Sequence, residues 1–151
     1  MRRLLLTLTL VAVLAPWTCW AQGGTGLGII VGEPTGLSLK TWVGGNSALD
    51  LGLAWSFSHD GNMHLHGDYL AHNFNLFDLD SGALPLYYGI GARVLFDEND
   101  ARVGLRVPVG LAYIFSGSRA DLFVELAPLL DLTPDTDFNL NGAAGLRYFF
   151  Q

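Results

Sequence analysis

Past residue 21 the chain has no cysteine; the only one is Cys19. That excludes a disulfide framework and thiol chemistry from the body of the protein. A small exported protein without disulfides needs another source of stability. A hydrogen-bonded sheet closed on itself in lipid is one. Beyond residue 21 no stretch reaches the roughly 18 consecutive apolar residues of a membrane helix. Charge is scarce too: 15% of residues are charged, against 50% hydrophobic. Basic charge is scarcest. Residues 1–21 hold Arg2 and Arg3 of the eight basic residues and none of the 14 acids, leaving six against 14, a net charge of −8. That sign excludes nucleic acid as a partner.

What is abundant is glycine, with 19 in 151 residues. It is spread evenly, too densely for a helical bundle and without a collagen-like repeat. Glycine on that scale suits strand turns and the tight interior of a small barrel. The length allows one domain at most.

Residues 1–21 read as a signal peptide. Arg2 and Arg3 form its basic start, residues 4–15 its apolar run, and Ala21 the cleavage site. Cys19 follows Pro16, Trp17 and Thr18, which is not the leucine-small-small pattern of a lipoprotein acceptor. Residues 22–151 are then the folded domain.

That domain alternates apolar and polar residues with the period of two that a strand requires. Eight strands are expected: 26–31, 36–43, 48–57, 63–73, 84–96, 101–115, 120–132 and 138–151. The third is the cleanest. Leu49, Leu51, Leu53, Trp55 and Phe57 share one face; Ala48, Asp50, Gly52, Ala54 and Ser56 share the other. Gly44-Gly45-Asn46 is a strong hairpin signal. Pro108 and Pro128 cannot donate a ladder hydrogen bond, so each predicts a bulge or irregularity. Residues 74–83 form the longest connection.

A soluble sandwich or lipocalin-like barrel would bury the apolar faces and expose a surface of Gly, Ala and Ser with little charge. A membrane barrel turns the apolar faces to lipid and packs small residues and a few charges into a narrow lumen. The small residues favour the second. So do the aromatics. With the first strand rising from the periplasm, Trp55, Phe57, Phe96 and Phe138 gather at the outer rim. Tyr113, Phe115, Tyr148 and Phe150 gather at the inner one. The expected fold is therefore all-β, an eight-stranded antiparallel up-and-down transmembrane β-barrel.

In that arrangement Lys40, Arg93, Arg102, Arg106 and Arg147 bring positive charge into the lumen. Asp50, Asp68 and Glu125 bring negative charge, joined by Asp121 and Asp131. Charges in so narrow an interior must pair, since removing one partner of a buried pair costs roughly 3–5 kcal/mol. Eight strands leave an interior just wide enough for side chains, which predicts a filled lumen or a small gated path over a wide pore. His64, His66 and Asp68 stand at i, i+2 and i+4 on the inward face, with His72 further along. The spacing could present metal ligands together, but residues two apart on one strand are roughly 7 Å apart and need help from a neighbour. They read instead as lumen hydrogen-bonding groups, with no metal or cofactor. Ser38 or Ser56 beside His64 or His66 could form a nucleophile and base, but no motif adds the orienting acid. Gly26, Gly28 and Gly32 lack the helix that a phosphate loop needs.

The signal peptide and the closing Leu146, Tyr148 and Phe150 resemble small bacterial outer-membrane β-barrel proteins of the eight-stranded OmpA/OmpX-like class. The alternating terminus is similar to the signal read by the barrel-assembly machinery, although Gln151 follows the final aromatic. The stretches GLGIIVGEPTGLSLK (26–40), LPLYYGIGAR (84–93), RVPVGLAYIF (106–115) and ELAPLLDLTP (125–134) resemble one family of such barrels. The resemblance implies an outer-membrane location and lipid and assembly-machinery partners. It brings no activity and no catalytic residues. The expected role is a structural or small-porin-like envelope protein, a monomer and not an enzyme. The alternative is a lipid- or small-ligand-binding barrel, soluble in the manner of a lipocalin.

Overall fold

The computed structural model describes residues 24–33, 35–55 and 62–150. The expected signal peptide, the tip of the third strand with Ser56 and Phe57, most of the turn after it, Pro34 and Gln151 lie outside the described residues.

The described residues form nine strands: β1 Thr25–Gly32, β2 Gly36–Trp42, β3 Ser47–Trp55, β4 Met63–Asn73, β5 Leu86–Phe96, β6 Ala101–Arg106, β7 Val109–Ile114, β8 Ala120–Thr133 and β9 Asp137–Phe150. Every pairing is antiparallel. Each strand pairs with the next until β5, which pairs with both β6 and β7. Both then pair with β8, β8 pairs with β9, and β9 returns to β1 from Thr25↔Phe150 to Gly32↔Ala143. The result is a closed ring of eight strand positions, up and down.

The ninth strand comes from Pro108. β6 and β7 are two halves of the expected sixth strand, and they keep one register. Arg106 and Val109 oppose Leu129 and Leu126 on β8, and Gly91 and Tyr88 on β5. Pro108 therefore interrupts the ladder without displacing it. Its carbonyl still accepts from the Gly89 N–H at 3.0 Å, but it has no N–H to return. Pro128 departs from expectation: it lies inside an unbroken β8 and causes no bulge. Its carbonyl accepts from the Val107 N–H at 3.0 Å, so the missing donors of the two prolines fall at the same level. The register shift in this region lies instead at Val103/Gly104.

The strands alternate as the sequence pattern requires. β3 is buried at every second residue from Ala48 to Ala54 and exposed between. The outward set is predominantly apolar. Leu27, Ile29, Leu51, Tyr69, Ile90, Leu105, Leu126 and Leu146 are all 45% or more exposed. The inward set holds a small apolar cluster of Ile30, Leu70, Tyr87, Ala112 and Phe123, together with the buried charges. The molecule is thus apolar outside and polar inside.

Aromatics mark both rims. Tyr113 packs on Phe115, and Tyr148 on Phe150, at the rim that carries both ends of the barrel. Trp55, Phe96 and Phe138 stand exposed at the opposite rim. The 74–83 connection is tied down. Ala83 and Ile114 exchange backbone hydrogen bonds of 3.0 and 2.7 Å, and Ser81 Oγ lies 2.8 Å from Ser116 Oγ. Phe74 turns back over the lumen mouth, with ring centroids 6.3 Å from both Trp42 and His72.

Candidate functional site

Strand parity and ring closure bring the inward charges together along the lumen. Lys40, Asp50, Asp68, Arg93, Arg106, Asp121, Glu125, Asp131 and Arg147 are all buried. They fall into three groups.

At the centre, Arg106 lies between two acids. Its Nε donates to Asp68 Oδ2 at 2.8 Å and its Nη2 donates to Glu125 Oε1. The Tyr87 hydroxyl donates to the other oxygen of Glu125 at 2.8 Å. A guanidinium holds a fixed fork of donors, which suits it to join acids from different strands. Here it links β4 to β8 through β6.

Towards the rim with the chain ends, Lys40 and Arg147 share Asp121, at 3.7 and 3.6 Å. Arg147 also reaches Asp50 at 3.4 Å and lies 3.8 Å above the Phe123 ring. Separations of this size are ion pairs without hydrogen bonds, and neither Asp121 oxygen has a hydrogen-bond partner. Lys40 Nζ sits 2.9 Å from His72 Nε2 and 4.5 Å from the Trp42 ring centre. An ammonium has only donors, so Nε2 accepts; the Nδ1–H then donates to the Asn46 carbonyl at 3.2 Å. His72 is fixed in one tautomer and one orientation. Trp42, His72 and Phe74 cap this end of the lumen.

At the other mouth, Arg93 grips Asp131 with two donors, at 3.0 and 2.5 Å, and Asn139 donates to the same acid at 3.1 Å. Arg102 departs from expectation. It has the inward parity, but it stands exposed at the rim beside Asp131 and residues 134–137, lining an open recess of about 260 Å³. β6 begins at Ala101, so Arg102 lies above the level where the barrel encloses its contents.

His64 and His66 are buried with ring centroids 5.4 Å apart. His66 Nε2 is 4.0 Å from Asp68 Oδ2, and His64 Nε2 has no hydrogen-bond partner. Ser38 donates to Asp50 at 3.4 Å and not to a histidine; Ser56 lies outside the described residues. Leu146, Tyr148 and Phe150 face outward on β9, each about half exposed. Sequence reasoning passed over Phe123. Its parity with Asp121 and Glu125 places it inward, and that signal was readable.

Two glycines let this filling exist. A Cβ on Gly145 would meet the Phe123 ring and, at 2.5 Å, the Ile29 carbonyl oxygen. A Cβ on Gly52 would land on the His66 ring. Gly145→Val is expected to lower barrel stability by about 1–3 kcal/mol, the usual penalty for overpacking. Gly142→Val, with Leu126 Cδ2 at 3.5 Å as the nearest atom, should be nearly neutral. Urea-unfolding midpoints of the two variants check this; equal midpoints would mean that the lumen is not tightly filled.

Inside the lumen, Asp50, His66, Arg106 and Glu125 border an internal cavity of about 10 Å³, room for one water. Among the described residues the arrangement is a column of buried polar side chains.

No family model matches the chain, and no curated protein matches it. Among solved structures, it is similar to the N-terminal β-barrel domain of Pseudomonas aeruginosa OprF, with a TM-score of 0.62 at 12% identity. The match covers 86% of this chain and 99% of that domain. The fold is therefore an eight-stranded antiparallel β-barrel like that of this domain.

Proposed function

We propose that this chain is a monomeric bacterial outer-membrane β-barrel with a structural or small-porin-like envelope role, its lumen filled by the charge network. The carrying observation is the inverted distribution of polarity. A belt of exposed Leu, Ile, Val and aromatic residues surrounds a core of buried charges. In water such a belt would drive aggregation; in a bilayer it is the required surface, and closure pairs the first strand with the last. A lipocalin-like soluble barrel needs the opposite distribution, with an apolar pocket inside. The role is proposed without enzymatic activity. Lipid and, during biogenesis, the barrel-assembly machinery reading Leu146, Tyr148 and Phe150 are the partners.

Cell fractionation and gel mobility test the location. The protein is expected in the outer-membrane fraction, running faster unboiled than boiled. A detergent-free soluble protein without a heat-dependent shift would overturn it. Planar-bilayer recording separates the two roles. A barrel plugged by Arg106 and Glu125 gives baseline current, and steady conductance steps would favour the small-porin role.

A further inference from the structure

Midway along the lumen, Asp50, His66 and Asp68 offer ligand atoms that all lie within 4.8 Å of one another. Asp50 is on β3, and the other two share the inward face of β4. Each is only 2–3% exposed. The two aspartates are direct cross-strand partners, and like charges directly opposite each other destabilise a sheet. His66 Nδ1 and Asp68 Oδ1 have no hydrogen-bond partner. The His66 ring is aimed at the strand of Asp50, where it fills the space left by Gly52.

The charge balance points the same way. Arg93 and Asp131 cancel as a pair at the mouth. Among the described residues, the remaining buried cations are Lys40, Arg106 and Arg147, and the remaining buried anions are Asp50, Asp68, Asp121 and Glu125. One negative charge is in excess where water is nearly excluded, which is costly.

We propose that Asp50, His66 and Asp68 form a binding site for a divalent transition-metal ion of the zinc class. One imidazole with two carboxylates is a donor set that zinc accepts. Calcium and magnesium favour oxygen donors alone. The neighbours suit ligand carboxylates, which are usually themselves hydrogen-bonded. Arg106 Nε holds Asp68 Oδ2 at 2.8 Å, and Ser38 holds Asp50 Oδ1 at 3.4 Å. The small cavity beside Asp50 and His66 leaves room for a water as a further ligand. Sequence spacing grouped His64 with His66 and Asp68 on one strand; the fold brings Asp50 across the ladder instead. The site belongs to the lumen and does not depend on where the barrel resides.

The test uses the full chain, folded in detergent, stripped with a chelator and titrated calorimetrically with Zn²⁺. One ion per barrel is expected. His66→Asn and Asp50→Asn should each weaken binding by about tenfold or more, while His64→Asn leaves it within about threefold. Heat-dependent gel mobility verifies that each variant is folded. Should His66→Asn not fold, the visible absorption of Co²⁺ bound to the parent decides. Intense four-coordinate bands support the site, and the weak bands of a solvated ion overturn it. No saturable Zn²⁺ binding, or binding unchanged in His66→Asn, or binding lost equally in His64→Asn, would also overturn it.

Discussion

Arg106→Met will destabilise the folded barrel by roughly 3–5 kcal/mol, the cost of breaking a buried ion pair from one side. The guanidinium serves Asp68 and Glu125 together. Its removal leaves two buried carboxylates with no cation within hydrogen-bond reach. Removing a carboxylate should do less: in Glu125→Gln the amide oxygen still accepts from Tyr87, and Arg106 keeps Asp68. The triple variant Arg106→Met, Asp68→Asn, Glu125→Gln should recover most of the loss, because a neutral interior pays no penalty for an unpaired charge. Urea unfolding in lipid vesicles, followed by the fluorescence of Trp42 and Trp55, gives all three values. If Arg106→Met lies within about 1 kcal/mol of the parent, the central charge cluster does not hold the lumen together. Arg93→Met offers a graded comparison. Asp131 would keep Asn139 and lies at the mouth, so the loss should be smaller.

Leu51→Arg separates a lipid-facing surface from a water-facing one by the sign of its effect. Leu51 is at the middle of β3 and 50% exposed. In a bilayer that height is near the midplane, where an arginine on the lipid face costs about 2–4 kcal/mol. In water the same change would replace an exposed leucine with a solvated cation and improve solubility. Leu132→Arg, at the end of β8 and 46% exposed, should cost no more than about 1 kcal/mol, since the penalty falls towards the interface. Unfolding in vesicles measures both. A Leu51→Arg variant as stable as its parent would remove lipid from the account.

The lumen residues show how far sequence reaches. Asp50, Asp68, Arg93, Arg106, Glu125 and Arg147 all have inward parity, and parity needs no knowledge of the neighbours. Their partners were not legible. Arg93 meets Asp131 and Arg106 meets Asp68, each pair separated by 38 residues. Which residues meet across a barrel depends on how far the register staggers as the sheet closes, a property of all the strands together. Arg102 carries the same parity and stays outside the network for that reason: parity gives direction, and height along the axis comes from register. Pro108 and Pro128 looked alike in sequence. Only one divides a strand, although both remove a donor at one shared level.

That the apolar face is the outer one was decided by the structure; the sequence by itself determined the eight strand positions and which residues share a face. A strand's side chains alternate whatever lies beside it, so these features are local. The closure of the last strand on the first was also legible, and the structure has it; the tertiary structure alone decided that residues 74–83 are pinned to β7 and that Phe123 lies under Arg147. It also set Asp50 opposite Asp68 and turned His66 towards both. These are consequences of ring closure, which places residues distant in sequence at one height in a space too narrow for them to avoid one another.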